Sequence, residues 1–136
     1  MCDLVMRIPD RVDFQEATTL PACLLIAYQA FNLKSWPHKA QSHEPVLVLG
    51  ADTTPGLCAV QLAHVMGYKV IAVADNEYQK IIEQYGSDVF INKDSTDLSQ
   101  KIRDATQNNL RLSIVTNYYV SLLPLLRRNM IYHCSC

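Results

Sequence analysis

Residues 46–74, VLVLGADTTPGLCAVQLAHVMGYKVIAVA, decide how this chain folds. Val46 to Leu49 is a short continuous apolar run, the pattern of a parallel strand buried on both faces, and Lys69 to Ala74 repeats it. Between them Leu57 to Met66 carries apolar residues at helical spacing. The join, Gly50 to Gly56, places Thr54 as a helix N-cap and Pro55 as the first helical residue. A helix starting there points its free N–H groups and positive dipole end toward the crevice beyond the first strand.

The alternation continues downstream. Glu77 to Tyr85 reads as a helix stopping at Gly86, and Val89 to Ile91 as a third strand. Asp97 to Gln107 reads as a helix supported by an Asp97 and Lys101 pair four apart, and Leu110 to Thr116 as a fourth strand. Strands separated by helices of this size predict an α/β fold: a Rossmann-type parallel sheet with right-handed crossovers and helices on both faces. Upstream, Asp13 and Glu16 have capping-box spacing before an apolar stretch reaching Phe31. That spacing predicts a helix broken near Pro21, with the proline opening a second, longer piece. Residues 34–45, KSWPHKAQSHEP, lack a hydrophobic period and read as a loop.

Composition narrows the partners. The 136 residues, 49% hydrophobic and 18% charged with a formal net charge of -1, suit one globular domain. Scattered basic residues offer no stripe for a phosphate backbone, so nucleic acid is not an expected partner. The longest apolar stretch, LPACLLIAY at 20–28, contains Pro21 and falls short of the ~20 residues a membrane span takes. MCDLVMRIPDRV at the start does not resemble a secretory signal, so a cytoplasmic location is expected, with no membrane association. The five cysteines, Cys2, Cys23, Cys58, Cys134 and Cys136, show no C-x-x-C spacing and read as reduced thiols. His133, Cys134 and Cys136 give three donors where a structural zinc site takes four, and no metal is expected.

In such sheets ligands sit beyond the carboxyl ends of the strands, and the first strand-to-helix turn is the favoured phosphate site. Against the fingerprint G-x-G-x-x-G, counted back from Gly56, only the third glycine is present: Thr53 stands second and Ala51 first, with Gly50 left to relieve the turn. The hydroxyls of Thr53 and Thr54 are candidate phosphate donors in place of backbone N–H groups. An ordinary capped helix explains the same residues. Asp75 ends the second strand, 19 positions after Gly56 (75 minus 56), where a carboxylate can accept from an adenosine ribose. The competing reading of Asp75 is a solvated residue opening the next helix.

Four segments in order resemble the nucleotide-binding half of a medium-chain dehydrogenase/reductase, in the zinc-independent quinone oxidoreductase and enoyl reductase branch. They lie in IPDRVDFQEATTLPACLLIAYQAF, VLVLGADTTPGLCAVQLAHVMGYKVIAVA and EQYGSDVFINK, within a resemblance that runs from about Arg7 to Thr116. Threonines in place of paired glycines, with the SWPHKAQ loop, are similar to fungal trans-acting enoyl reductases that partner polyketide synthases. The resemblance implies reduction of an activated double bond by hydride from NADPH or NADH, without metal, with the cofactor carrying the chemistry. It implies a cofactor site at Gly50, Thr53, Thr54, Gly56, Asp75, Tyr78 and Lys93. Family usage favours NADPH, whereas Asp75 at a position commonly serine, and Tyr78 at a position often lysine, favour NADH. Lys93, at the family's tyrosine position, can compensate with its ammonium. A homo-oligomer is a further expectation of the resemblance.

The departures set the alternatives. Ile26 replaces a threonine and Val115 an aspartate, both tied in the family to nicotinamide positioning. The expected organisation is 1–33 leading in from an absent GroES-like catalytic domain, 34–45 a loop, 46–120 a partial Rossmann domain, and 121–136 an unassigned tail. Besides a truncated oxidoreductase, the sequence admits a non-catalytic dinucleotide-binding module or a degenerate remnant with an exposed sheet edge. No general acid, base or nucleophile is assigned: His64 reads as a half-buried surface residue, His38 and His43 as solvated loop residues, and Tyr28 as a packed aromatic rather than a crevice group.

Overall fold

The computed structural model describes residues 7–32, 43–116 and 130–133. In chain order the elements are α1 (Phe14–Asn32), β1 (Pro45–Leu49), α2 (Thr54–Val65), β2 (Lys69–Ala74), α3 (Gln79–Gln84), β3 (Val89–Asn92), α4 (Leu98–Thr106), β4 (Leu112–Val115) and β5 (Met130–His133). The strands form one sheet in the order β3-β2-β1-β4-β5, every pairing parallel. Of the loop expected at 34–45, residues 34–42 lie outside the described residues, as does most of the tail. His38, Cys2, Cys134 and Cys136 fall there too. Within that tail β5 pairs with β4, so β4 is an interior strand and not the exposed edge that a four-stranded sheet implies.

The apolar runs divide by alternation across the sheet. Val46, Val48, Val70, Ala72, Ala74, Leu112 and Ile114 share one core with Ala27, Ala30 and Phe31 of α1, Ala59, Val60 and Ala63 of α2, and Ile82 of α3. Leu47, Leu49, Ile71, Val73, Ile91 and Val115 share the other with Ile102 of α4. Both faces of β1 and β2 are therefore buried, which is why their sequences are apolar throughout. Phe31 stacks on Tyr68, ring centroids 5.7 Å apart, tying the end of α1 to the start of β2. No helix among the described residues is long and apolar enough to cross a membrane.

Two local expectations are corrected. Helix α1 runs unbroken through Pro21. The capping box forms, with Glu16 N–H donating to Asp13 Oδ1 at 2.7 Å and Asp13 N–H to Glu16 Oε2 at 3.3 Å. Pro21 removes the N–H that Ala17 C=O would receive. Pro21 is exposed, so that carbonyl is left near water, while Ala27, Ala30 and Phe31 hold the helix by packing. The Asp97 and Lys101 ion pair does not form: Asp97 is the N-cap, outside helical geometry, and Lys101 Nζ donates to Ser95 Oγ at 3.1 Å.

Cys23 of α1 and Cys58 of α2 are half-buried free thiols. Burial, and secondly the nearby Cys23, push the Cys58 thiol above its ordinary value. Elevation suppresses the reactive thiolate, so Cys58 behaves as a packing residue.

Candidate functional site: the turn after the first strand

The turn is assembled from the register of three strands. Gly50 N–H and Ala51 N–H both donate to Val73 O at 3.0 and 3.1 Å, holding the start of the turn against β2. Gly50 has a φ of 82°, a conformation that costs glycine little. Thr53 N–H donates back to Gly50 O at 3.0 Å, closing the bend.

The cap lies one residue earlier than expected. Thr53, not Thr54, is the N-cap: its Oγ1 accepts from Gly56 N–H at 3.1 Å, and Pro55 is the second helical residue. The reason lies in β4. Leu49 pairs with Val115, so Thr116 arrives beside Gly50, with Thr53 Oγ1 2.8 Å from Thr116 Oγ1 and Thr116 Oγ1 2.7 Å from Gly50 O. Thr53 Oγ1 also lies 2.7 Å from Gly50 O, and Thr116 Oγ1 3.0 Å from Leu49 O, so the single proton of each hydroxyl has its acceptor within the protein. The Thr53 hydroxyl is thereby committed within the protein. Thr54 is exposed at the first helical position.

Gly56 is where a side chain fails outright. A Cβ there would lie 2.1 Å from Gly50 O and 2.9 Å from Ala51 Cα, both backbone atoms. The glycine lets α2 start directly against the end of β1, the close helix-strand packing assigned to the third glycine of the fingerprint.

Asp75 and Lys93 meet by the same logic of register. Ala74 pairs with Asn92, so the next residue of each strand emerges side by side, and Lys93 Nζ lies 2.7 Å from Asp75 Oδ2. Both side chains are partly exposed, at 29% for Lys93 and 36% for Asp75. Asp75 precedes a 3₁₀ turn, Asn76–Tyr78, but its side chain makes no capping bond. Its carboxylate serves the ion pair instead of opening a helix. Tyr78 is exposed on that turn.

One site residue escaped the sequence reading. Asp52 Oδ1 is buried with no hydrogen-bond partner, in the middle of the turn. Only burial reveals it, since an aspartate in a turn is otherwise unremarked. Of the other candidates, Tyr28 is 53% exposed rather than packed, and His64 is exposed, its ring against Gly86. Val115 is buried in the sheet and Ile26 is half-buried in α1. Among the described residues no group of three or more His, Cys, Asp or Glu is placed to hold a metal.

A helix start capped by Thr53, a side-chain-free approach at Gly56 and an ion pair joining the ends of β2 and β3 lie together along the carboxyl edge of the sheet. Residues 56–120 match the family described as zinc-binding dehydrogenase. Trans-enoyl reductase TOXD of Cochliobolus carbonum is 33% identical over 115 residues, covering 81% of this chain and 38% of that protein. The chain belongs to the medium-chain dehydrogenase/reductase superfamily and is enoyl reductase-like. Trans-enoyl reductase phm4 of a Pyrenochaetopsis species is 31% identical over 120 residues, covering 83% of this chain and 33% of the relative. The chain thus spans between a third and two fifths of the length of these relatives. The apo JamJ enoyl reductase superposes with a TM-score of 0.75 at 24% identity, covering 96% of this chain and 40% of that structure. An NADPH:quinone reductase from Mesorhizobium loti superposes at 0.72 with 12% identity, covering 94% and 38%. These two likenesses bear on the fold.

Proposed function

We propose that this chain is the nucleotide-binding half of a nicotinamide-dependent reductase of activated carbon–carbon double bonds. It belongs beside a GroES-like catalytic domain, with residues 46–120 as the dinucleotide unit and 1–33 as the lead-in. The observation that carries this reading is the Gly56 approach: nothing but glycine fits where α2 meets Gly50 O, and the helix start so formed faces the strand ends. The trans-enoyl reductase relatives supply the reaction class.

The residues fit a dinucleotide. Gly50 and Gly56 shape the turn, Thr54 at the exposed first helical position faces the pyrophosphate with its N–H and hydroxyl while the Gly56 and Leu57 N–H groups are held by Thr53, and Asp75, Tyr78 and Lys93 line the adenosine ribose. Thr53 contributes by holding the cap. When bound, the nicotinamide supplies the hydride, and the chain binds, orients and shields it.

The Asp75 and Lys93 pair sets the cofactor range. With the carboxylate balanced by an ammonium at 2.7 Å, the ribose subsite accepts a 2′-hydroxyl through Asp75 and a 2′-phosphate through Lys93. Both NADH and NADPH are therefore substrates on this reading. Lys93→Met should weaken NADPH about tenfold relative to NADH, and Asp75→Ser should favour NADPH by a similar factor, read as dissociation constants. Equal loss of both cofactors in both variants counts against the assignment. A cytoplasmic location, a homo-oligomer and a polyketide synthase as macromolecular partner complete the proposal. Joining the chain to a GroES-like domain tests the reaction: enone reduction with NADH or NADPH supports it, and a folded fusion without hydride transfer contradicts it.

A further inference from the structure

The amino edge of the sheet, opposite the Gly50 to Gly56 turn, holds a cavity of about 320 Å³. Lys69, the first residue of β2, and Arg111, just before β4, line it beside Glu44, and Ala105 and Gln107 at the end of α4 form another wall. Arg111 Nε lies 3.4 Å from Glu44 Oε1, and Lys69 Nζ donates to Ala105 O at 3.0 Å. Among the described residues no carboxylate pairs with Lys69. The chain itself closes the neighbouring carbonyls of α4: Gln107 N–H donates to Asp104 O, Asn108 N–H to Arg103 O and Asn109 N–H to Thr106 O. An ammonium has three N–H donors and a guanidinium five, so one carbonyl and one carboxylate oxygen do not exhaust them. Two cations thus face one carboxylate, and the dipole of α4 offsets only a fraction of the excess. Gln107 adds a separate sign. It takes the left-handed conformation, φ 52°, at the helix end where glycine is least strained, and so keeps an amide on the cavity wall.

We infer that this cavity binds a small oxyanion, a phosphate or carboxylate group on a polar body, seated on Lys69 and Arg111. The surplus of donors and positive charge selects the oxyanion. The mainly polar wall selects the body, because sites for aliphatic or aromatic groups are lined by apolar side chains. The space equals on the order of ten water molecules, enough for a small metabolite and too little for a dinucleotide. The parallel strands separate it from the Gly50 to Gly56 turn by about 15–20 Å, so the inference does not rest on the cofactor reading.

The test titrates the full 136-residue chain with inorganic phosphate and with succinate, at constant pH and ionic strength, and follows backbone amide shifts by NMR. Saturable one-site binding is expected, with the largest shifts at residues 43–45, 69 and 105–111 and none at 50–56. Saturation by phosphate alone assigns a phosphorylated ligand, by succinate alone a carboxylate, and by both a site that reads oxyanion charge. Lys69→Met should weaken binding about tenfold and Arg111→Met about threefold or more, while Lys69→Arg should stay within about threefold of wild type. Lys80→Met removes the same charge from an exposed position on α3 and should change nothing. Lys69→Met also loses the bond to Ala105 O, so if it does not fold, the shift pattern of the wild type and the affinities of Lys69→Arg and Arg111→Met decide. Linear, unsaturated shifts in the folded wild type overturn the inference and leave a water-filled cleft. Equal weakening by Lys80→Met also overturns it, as general charge attraction. A chain that saturates here but binds neither NADH nor NADPH upholds this site while the cofactor reading fails.

Discussion

At Gly56 a single missing methyl group determines whether α2 can start against β1. Gly56→Ala would drive a Cβ to 2.1 Å from Gly50 O, a backbone atom that cannot swing aside. The expected cost is about 1–3 kcal/mol, read as a lower denaturant midpoint, together with weaker dinucleotide binding as the helix start shifts. The third-glycine spacing made this residue legible in the sequence. The Thr53 cap was misplaced by one residue because its partner, Thr116, comes from β4, and no local pattern announces a hydroxyl 63 positions away. Thr53→Val should cost about 1 kcal/mol as a lost cap. Combined with Thr116→Val the loss should be less than the sum of the two, since both hydroxyls belong to one chain of bonds, and a double-mutant cycle by chemical denaturation measures the difference. Asp75 and Lys93 were each legible as ribose candidates. Their pairing was not, because it depends on β2 and β3 aligning Ala74 with Asn92.

Among the elements, the strands were the most readable because burial on both faces makes β1 and β2 almost wholly apolar. Lys69–Ala74 matches its expected span, whereas the fourth strand, expected over Leu110 to Thr116, is the shorter Leu112–Val115. Helix α1 shows the limit of local signals. Its capping box was evident, but Pro21 implied a break that packing of Ala27, Ala30 and Phe31 against α2 and the sheet overrides. Pro21→Ala should restore a donor for Ala17 C=O and raise stability by about 1–2 kcal/mol, the lost proline rigidity of the unfolded chain offsetting part of the gain. A melt at or below wild type would show the proline to be fully accommodated. The α1 and α2 interface also carries a pH signature. Because the folded Cys58 thiol is raised, the unfolded chain loses its proton first as pH increases. The contribution is therefore fully present below the ordinary thiol value of about 8.5 and is lost as pH rises through the folded value. Cys58→Ala should flatten the alkaline decline in stability, measured by urea melts at neutral and alkaline pH.

For the whole molecule, the order β3-β2-β1-β4-β5 places the switch in connection direction at β1, and the Gly50 to Gly56 turn rises from that strand. The parallel α/β class followed from alternating buried strands and helices alone. The place of β5 did not, since its strand lies in a stretch with no recognisable pattern. The fifth strand bears on the remnant reading, because it covers the β4 edge that such a reading leaves open. A cooperative thermal melt of the whole chain is expected, and a broad, probe-dependent transition would favour the remnant. The central claim, that the turn holds a nicotinamide dinucleotide, is tested most directly by titrating the folded 136-residue chain with NADH and NADPH by calorimetry, beside Lys93→Met and Gly56→Ala. Saturable one-site binding of both cofactors, selectively lost for NADPH in Lys93→Met and weakened for both in Gly56→Ala, is the predicted result. A cooperatively folded wild-type chain that binds neither cofactor would contradict the account.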